Sequence, residues 1–330
     1  MGLHGRPRRG HAADRTNCKR DTNRSQRPPT HGCVIAGRLL LTKWREWRGG
    51  RVGIARLVHD PRVAPAPVGT MTGMKAIILA GGFGSRLSEE TAVRPKPMVE
   101  IGGMPILWHI MKGLSVHGIN DFVLCLGYKG DVIKEWFASY FLSMSDVTLD
   151  LQKQTMEVHA TRAEPWRVTL LDTGDGTLTG GRLKRALSHI GHDETVLMTY
   201  GDGVADVDVT ALKAFHDEQG TLATVTAVQP PGRWGALDVH GNRVTHFREK
   251  PKGDGTWTNG GFFLLNPGVA DYIEGDLTTW EEAPLRGLAA DDQLSSYQHE
   301  GHWQVMDTLK DKMDLQAAWD SGERPWVTWE

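Results

Sequence analysis

The chain has 330 residues, 39% of them apolar and 24% charged, with a formal net charge of -2. This is an ordinary globular profile, long enough to bury a core in one large domain or two. No apolar stretch reaches the roughly 18 residues that cross a membrane, and the three cysteines (Cys18, Cys33, Cys125) supply neither a disulfide framework nor a metal-ligand spacing, which fits a reducing cytoplasm.

Residues 1–70 stand apart. They hold 15 Lys and Arg against 4 Asp and Glu, leaving 23 of the 38 basic and 36 of the 40 acidic residues to the remainder. Arg, Gly, Pro and His dominate, and apolar periodicity is not sustained outside Val34–Trp47. Such a segment cannot bury enough apolar surface to offset its ordering entropy. Residues 1–73 therefore read as a disordered basic extension and 74–330 as the folded domain. Three readings of the extension compete: a tail for nucleic acid or anionic membrane, a targeting leader, or a stretch never made because translation begins at Met71 or Met74. The body needs nothing before Met74, which favours the last. His31 and Cys33 are too few to make a metal site.

In the body, the unbroken apolar run Ala76–Ala80 predicts a parallel strand buried on both faces. Leu107, Ile110, Met111 and Leu114 recur at helical spacing in Met104–His117. Phe122–Leu126 is a second buried strand, with Cys125 as a small core residue. Ile133, Trp136, Phe137 and Tyr140 repeat the helical spacing in Asp131–Leu142. Val168–Leu171, Thr195–Thr199 and Leu222–Val228 read as strands, with helices over Gly181–Ile190 and Asp208–Gln219 between them. This alternation predicts an α/β fold: a Rossmann-like, mostly parallel sheet flanked by helices. After Gln229 the rhythm changes. Short strands at Trp234–Val239, Arg243–Arg248 and Gly261–Leu265 predict a smaller mixed or antiparallel sub-region, and Trp280–Ala290 and Leu309–Trp319 read as closing helices.

The chemistry gathers at the first strand. It empties into Gly81-Gly82-Phe83-Gly84-Ser85-Arg86, and Arg94-Pro95-Lys96-Pro97 follows. Glycines expose backbone N–H groups as an anion nest, Arg86 offers a planar fork to phosphate, and Lys96 offers a point charge. The loop has neither the third glycine of a dinucleotide fingerprint nor the Gly-Lys-Ser/Thr of a P-loop. It describes a polyphosphate site of another kind. Open parallel sheets bind ligands at the carboxyl ends of their strands, and Tyr200-Gly201-Asp202-Gly203 also follows a strand. Asp202 there is either a Mg²⁺ ligand or a turn residue. Asp307, after the run His302–Met306, has the place of an N-cap for the helix at Leu309.

These motifs resemble the sugar-1-phosphate nucleotidyltransferases. The stretches Met144–Thr148, Glu164-Pro165-Trp166, Thr179–Arg185, Pro230–Asp238 and Pro325–Glu330 look like the glucose-1-phosphate cytidylyltransferase subgroup, and the resemblance covers Met74 to Glu330. It implies transfer of CMP from CTP to α-D-glucose 1-phosphate, giving CDP-glucose, a precursor for deoxysugar and O-antigen-type polysaccharides, and pyrophosphate. By resemblance, Leu79, Ala80, Gly81, Gly82, Phe83, Gly84, Ser85, Arg86, Lys96, Thr177, Arg182 and Gly201 would contact the nucleotide. Arg86 and Lys96 would be catalytic, and Asp202 and Asp307 would hold Mg²⁺. Glu249, Lys250 and Asn259 would bind the sugar phosphate, in the smaller sub-region. Ser85 stands where the family usually has Thr, and the hydroxyl is kept. A sugar phosphate is already a nucleophile, so catalysis would be positioning and charge neutralisation. The choice of cytosine rests on the resemblance alone.

Two rivals remain. One is a uridylyl- or thymidylyltransferase on the same fold. The other is a non-catalytic nucleotide-sugar sensor, which should have lost Lys96, Asp202 or Asp307; all three are present. The acidic body argues against nucleic acid as a partner. The resemblance also implies a homo-oligomer.

Overall fold

A computed structural model of the chain describes Met71 and residues 73–330, apart from 192–193 and 233–234. The basic extension 1–70 and Arg233-Trp234 of the Pro230–Asp238 stretch lie outside the described residues. The folded body reaches back to Met71, whose N–H donates to the His117 carbonyl at 2.9 Å.

The first half of the body carries β1 (Lys75–Leu79), α1 (Ser88–Thr91), β2 (Glu100–Ile101), β3 (Met104–Pro105), α2 (Ile106–Val116), β4 (Asp121–Leu126), α3 (Gly130–Ser143), β5 (Ser145–Asp150), β6 (Thr155–Thr161) and β7 (Arg167–Asp172). The second half carries α4 (Thr179–Ile190), β8 (Val196–Tyr200), β9 (Gly203–Ala205), α5 (Val209–Gln219), β10 (Ala223–Val228), β11 (Ala236–His240), β12 (Arg243–Arg248), β13 (Thr258–Leu265), α6 (Ala283–Ala290), β14 (Leu294–His299), β15 (Trp303–Val305) and α7 (Leu309–Ser321).

Seven strands form the central sheet in the order β14-β10-β13-β8-β1-β4-β7. Pairs β4–β7, β1–β4, β1–β8 and β10–β14 are parallel; β13 runs antiparallel to both β8 and β10. The expected α/β architecture is therefore observed, with one correction. Residues 261–265 do not belong to a separate small layer, because β13 is wedged into the middle of the main sheet. The buried run Gly260–Leu265 explains why: both its faces are covered. The smaller sub-region reduces to the hairpin β11–β12 and the ribbon β9–β15.

Alternate side chains of the central strands feed two cores. Ala76, Ile78, Phe122, Leu124, Leu197 and Leu264 face α2, α5 and α7. Ile77, Val123, Cys125, Met198 and Phe263 face α4, α6 and Trp280. Burial pushes the Cys125 thiol up to about 12, so it remains an inert core residue. Asp208 caps α5, its Oδ1 accepting from the Ala211 N–H at 3.0 Å. Among the described residues no helix is long and apolar enough to cross a membrane.

Candidate active site

The chain leaves β1 toward β4 and β7 on one side, then returns to β8 on the other. Connections therefore diverge between β1 and β8, and a crevice opens at the carboxyl ends of these two strands. The loop 80–86 and the segment Tyr200–Asp202 flank it. The ladder continues into both loops, with the Gly201 N–H donating to the Leu79 carbonyl at 3.0 Å. A Cβ at Gly201 would lie 2.9 Å from Pro97 Cγ, so glycine is what lets Pro97 seat Lys96 against this strand end. Gly84 has φ +61°, and a Cβ there would meet Thr91 and Lys96. The helix α1 that follows is tied to the loop by Thr91 Oγ1, which donates to the Gly84 carbonyl at 3.0 Å, and is pinned from outside: Lys129 Nζ donates to the carbonyls of Thr91 and Ala92 at 2.9 and 2.5 Å, and Lys312 pairs with Glu90.

Every residue expected at the nucleotide, from Leu79 to Arg86 with Lys96, Thr177, Arg182 and Gly201, lines this one cleft. Arg182 also has a structural part in this cleft. It is 4% exposed. Its guanidinium donates to the Leu126 carbonyl at 2.8 Å, Thr173 Oγ1 at 2.6 Å, the Gly81 carbonyl at 3.1 Å and the Asp175 carbonyl at 3.3 Å. Both terminal nitrogens are thus taken by protein. Arg182 braces the loop after β1 against the loop before α4.

A second cleft continues past Arg86, Tyr200 and Asp202, and it includes Asn259, Glu281, Trp303 and Asp307. Where the two clefts meet, four charges converge. Lys96 Nζ donates to Asp202 Oδ2 at 2.6 Å and to Asp307 Oδ1 at 2.5 Å. Arg86 Nη1 donates to Asp307 Oδ2 at 2.5 Å. The ribbon β9–β15 makes the pairing: Gly203 lies opposite Val305, and the Met306 N–H donates to the Asp202 carbonyl at 2.9 Å. Asp307 is not the helix cap. Thr308 caps α7, its hydroxyl accepting from the Asp311 N–H while Asp311 Oδ2 accepts from the Thr308 N–H at 2.7 Å. That capping box leaves the Asp307 carboxylate free for the cleft.

Among the described residues no group of three or more His, Cys, Asp or Glu could hold a metal ion. Asp202 and Asp307 nonetheless converge on a single cationic atom as hard, acceptor-only oxygens. This donor set suits Mg²⁺, which takes one or two carboxylates and completes its shell with phosphate oxygens and water.

The sugar-side residues are split. Asn259 lines the second cleft, its Oδ1 accepting from the Gly261 N–H at 2.8 Å. Lys250, at φ 44°, lies in a third cleft that shares Trp303, Val305 and Asp307 with the second. Glu249 lines none of the three; it is exposed beside Lys250 at the end of the β11–β12 hairpin.

The family model for nucleotidyl transferases matches residues 75–319. The chain belongs to the nucleotidyl transferase family. Within this family it is 61% identical to the glucose-1-phosphate cytidylyltransferase of Salmonella typhimurium over 257 residues, 78% of this chain and 100% of that protein. It is 45% identical to a probable glucose-1-phosphate cytidylyltransferase of Bacillus subtilis, with the same coverage. Solved structures agree on the fold. HddC from Yersinia pseudotuberculosis superposes with a TM-score of 0.53 at 21% identity, covering 74% of this chain and 99% of that one. An apo UDP-glucose pyrophosphorylase superposes with a TM-score of 0.55 at 13% identity, covering 76% and 99%.

The sequence does not point to Glu281, and it shows Tyr200 and Thr179 only as members of longer motifs with no part of their own. Glu281 was hidden by an apolar pattern that predicts a helix from Trp280. The structure starts α6 at Ala283, which leaves Glu281 at the cleft.

Proposed function

We propose that this nucleotidyl transferase moves CMP from CTP to α-D-glucose 1-phosphate and releases pyrophosphate. The observation that carries the reading is the convergence of Arg86, Lys96, Asp202 and Asp307 where the two clefts meet. The named relatives supply the choice of cytosine and glucose.

In this reading the loop 81–86 offers backbone N–H groups to the triphosphate, and Arg86, 75% exposed at its side chain, swings from Asp307 to the β- and γ-phosphates. Lys96 is held between two prolines and two carboxylates, so its ammonium is already placed between the reacting phosphates and needs little reorganisation. Asp202 and Asp307 are the residues that would hold Mg²⁺, which when bound neutralises charge on the phosphate oxygens. Asn259 and Lys250 would take the sugar's hydroxyls and phosphate. No general base is required, because the sugar phosphate is already anionic; orientation and charge neutralisation suffice. We infer a cytoplasmic enzyme that works as a homo-oligomer, with residues 74–330 as its catalytic domain and CDP-glucose serving polysaccharide synthesis.

The test is pyrophosphate release from each of four NTPs with several hexose 1-phosphates, with and without Mg²⁺. CTP with α-D-glucose 1-phosphate should give the highest kcat/KM, and only with the metal. A preference for UTP or dTTP would reassign the base while leaving the fold and charge cluster intact.

A further inference from the structure

Arg86 and Lys96 mark the phosphate site where the two clefts meet. The second cleft also holds a carboxylate with no cationic partner: among the described residues, no ion pair involves Glu281. That carboxylate is built in. Its Oε1 accepts from the Tyr200 hydroxyl, and its Oε2 accepts from Thr179 Oγ1 at 2.6 Å. The Trp280 N–H donates to the same Thr179 oxygen at 2.9 Å, which leaves the threonine proton to Glu281. Trp280 is wholly buried against Phe263 and fixes the segment.

An ionised carboxylate has about four lone-pair sites. Two here are filled by protein donors, and the residue lines the open cleft beside Asn259. A phosphate would be repelled at this position. What it can accept is a neutral O–H, and a hexose ring supplies several. We propose that Glu281 is a specificity-determining residue that accepts a hydrogen bond from one ring hydroxyl of the hexose 1-phosphate, and that Tyr200 and Thr179 position it. The proposal rests on the reading of the site as a sugar-1-phosphate nucleotidyltransferase. Tyr200 and Thr179 also line the nucleotide cleft, so the hydroxyl would be read from a carboxylate whose position is set by the nucleotide side.

The experiment measures KM and kcat for glucose 1-phosphate and its 2-, 3-, 4- and 6-deoxy analogues at saturating CTP, in wild type and Glu281→Ala. KM for CTP and the melting temperature are followed in parallel. Glu281→Ala should raise KM for glucose 1-phosphate about 10- to 100-fold, the size of one hydrogen bond to a charged group, and leave KM for CTP within about two-fold. One analogue should lose a similar factor in wild type and lose nothing further in the variant; the others should keep their wild-type penalties. Unchanged penalties for all four analogues, or a CTP KM that rises in step with the sugar KM, would overturn the proposal. If Glu281→Ala does not fold, Glu281→Gln replaces it. Its weaker neutral acceptor should shrink the same analogue's penalty about ten-fold, and an unchanged penalty overturns the idea. If wild type prefers another NTP or sugar phosphate, the activity assignment fails by itself, and the series is run with analogues of the preferred pair.

Discussion

Lys96→Ala should destabilise the protein, slow it and tighten its grip on metal at once. The lysine ammonium is 2.6 Å from one carboxylate oxygen and 2.5 Å from the other, which puts Asp202 Oδ2 and Asp307 Oδ1 no more than about 5 Å apart. Without the ammonium, two negative charges at that separation repel by about 3 kcal/mol at an effective dielectric of about 20. The carboxylates are 27% and 24% exposed, and Arg86 still pairs with Asp307 in the variant, so this is an upper bound. For a body of this size it corresponds to a melting temperature lower by up to about 6–12 °C in chelator-treated buffer. A divalent cation relieves the same repulsion. The ligand-free variant should therefore bind Mn²⁺ more tightly than wild type in an EPR titration, and added Mg²⁺ should restore much of the lost melting temperature. Turnover should fall about 10²- to 10³-fold, because the charge placed between the reacting phosphates is gone. A variant that melts like wild type and binds Mn²⁺ no better would refute the claim that Lys96 holds the two carboxylates together.

Asp307→Asn should leave α7 capped, because Thr308 and Asp311 supply its capping box, so any loss of melting temperature comes from the charge cluster and not from the helix. The same change should raise the Mg²⁺ needed for half-maximal rate about ten-fold or more; full activity at unchanged Mg²⁺ would remove Asp307 from the site. Arg182→Lys cannot reproduce four bonds from a planar fork and should cost about 2–5 kcal/mol of stability in urea unfolding, with a raised KM for CTP. Burial lowers the pKa values of His109, His117, His216 and His302. The unfolded chain thus takes up protons near pH 6.5 that the folded chain still refuses. Stability should be full above about pH 6.5 and fall as the pH drops below it. A melting temperature flat from pH 7.5 to 5.5 would contradict this.

What the sequence made legible was local. The buried strands read as apolar runs, and the nest 81–86 reads from residues that must be neighbours to work. The cluster of Arg86, Lys96, Asp202 and Asp307 could be nominated residue by residue, but nothing in the spacing places Asp307 beside Lys96. That contact depends on a three-residue ribbon, β9–β15, too short for any periodic signal. The hairpin β5–β6 was equally silent because neither of its strands buries a face. The direction of β13 follows from which gap in the sheet it fills, a tertiary fact. The cap of α7 was misplaced by one residue because Asp307 and Thr308 are both good caps, and only the reciprocal bond from Asp311 decides between them.

The stretch Thr179–Arg185 shows how a motif can be visible while its work is not. Thr179 holds Glu281. Cβ atoms at Gly180 and Gly181 would collide with the Thr278 carbonyl oxygen at 2.7 Å and the Asp276 backbone at 2.6 Å, so the two glycines let the segment before α6 lie directly on the start of α4. The Gly180 N–H donates to the Thr278 carbonyl at 2.9 Å, which satisfies one of the orphan donors at the start of α4. Arg182 braces the nucleotide loops from beneath. Lys184 Nζ donates to the Ile273 carbonyl at 2.5 Å, and Arg185 pairs with Asp276 at 2.6 Å. Residue by residue, the motif fastens the loop after β1 to the segment that carries Glu281. A change here should therefore disturb nucleotide and sugar binding together, whereas a change at Glu281 itself should disturb the sugar alone. That difference separates a residue that joins the two clefts from one that reads a ligand in one of them.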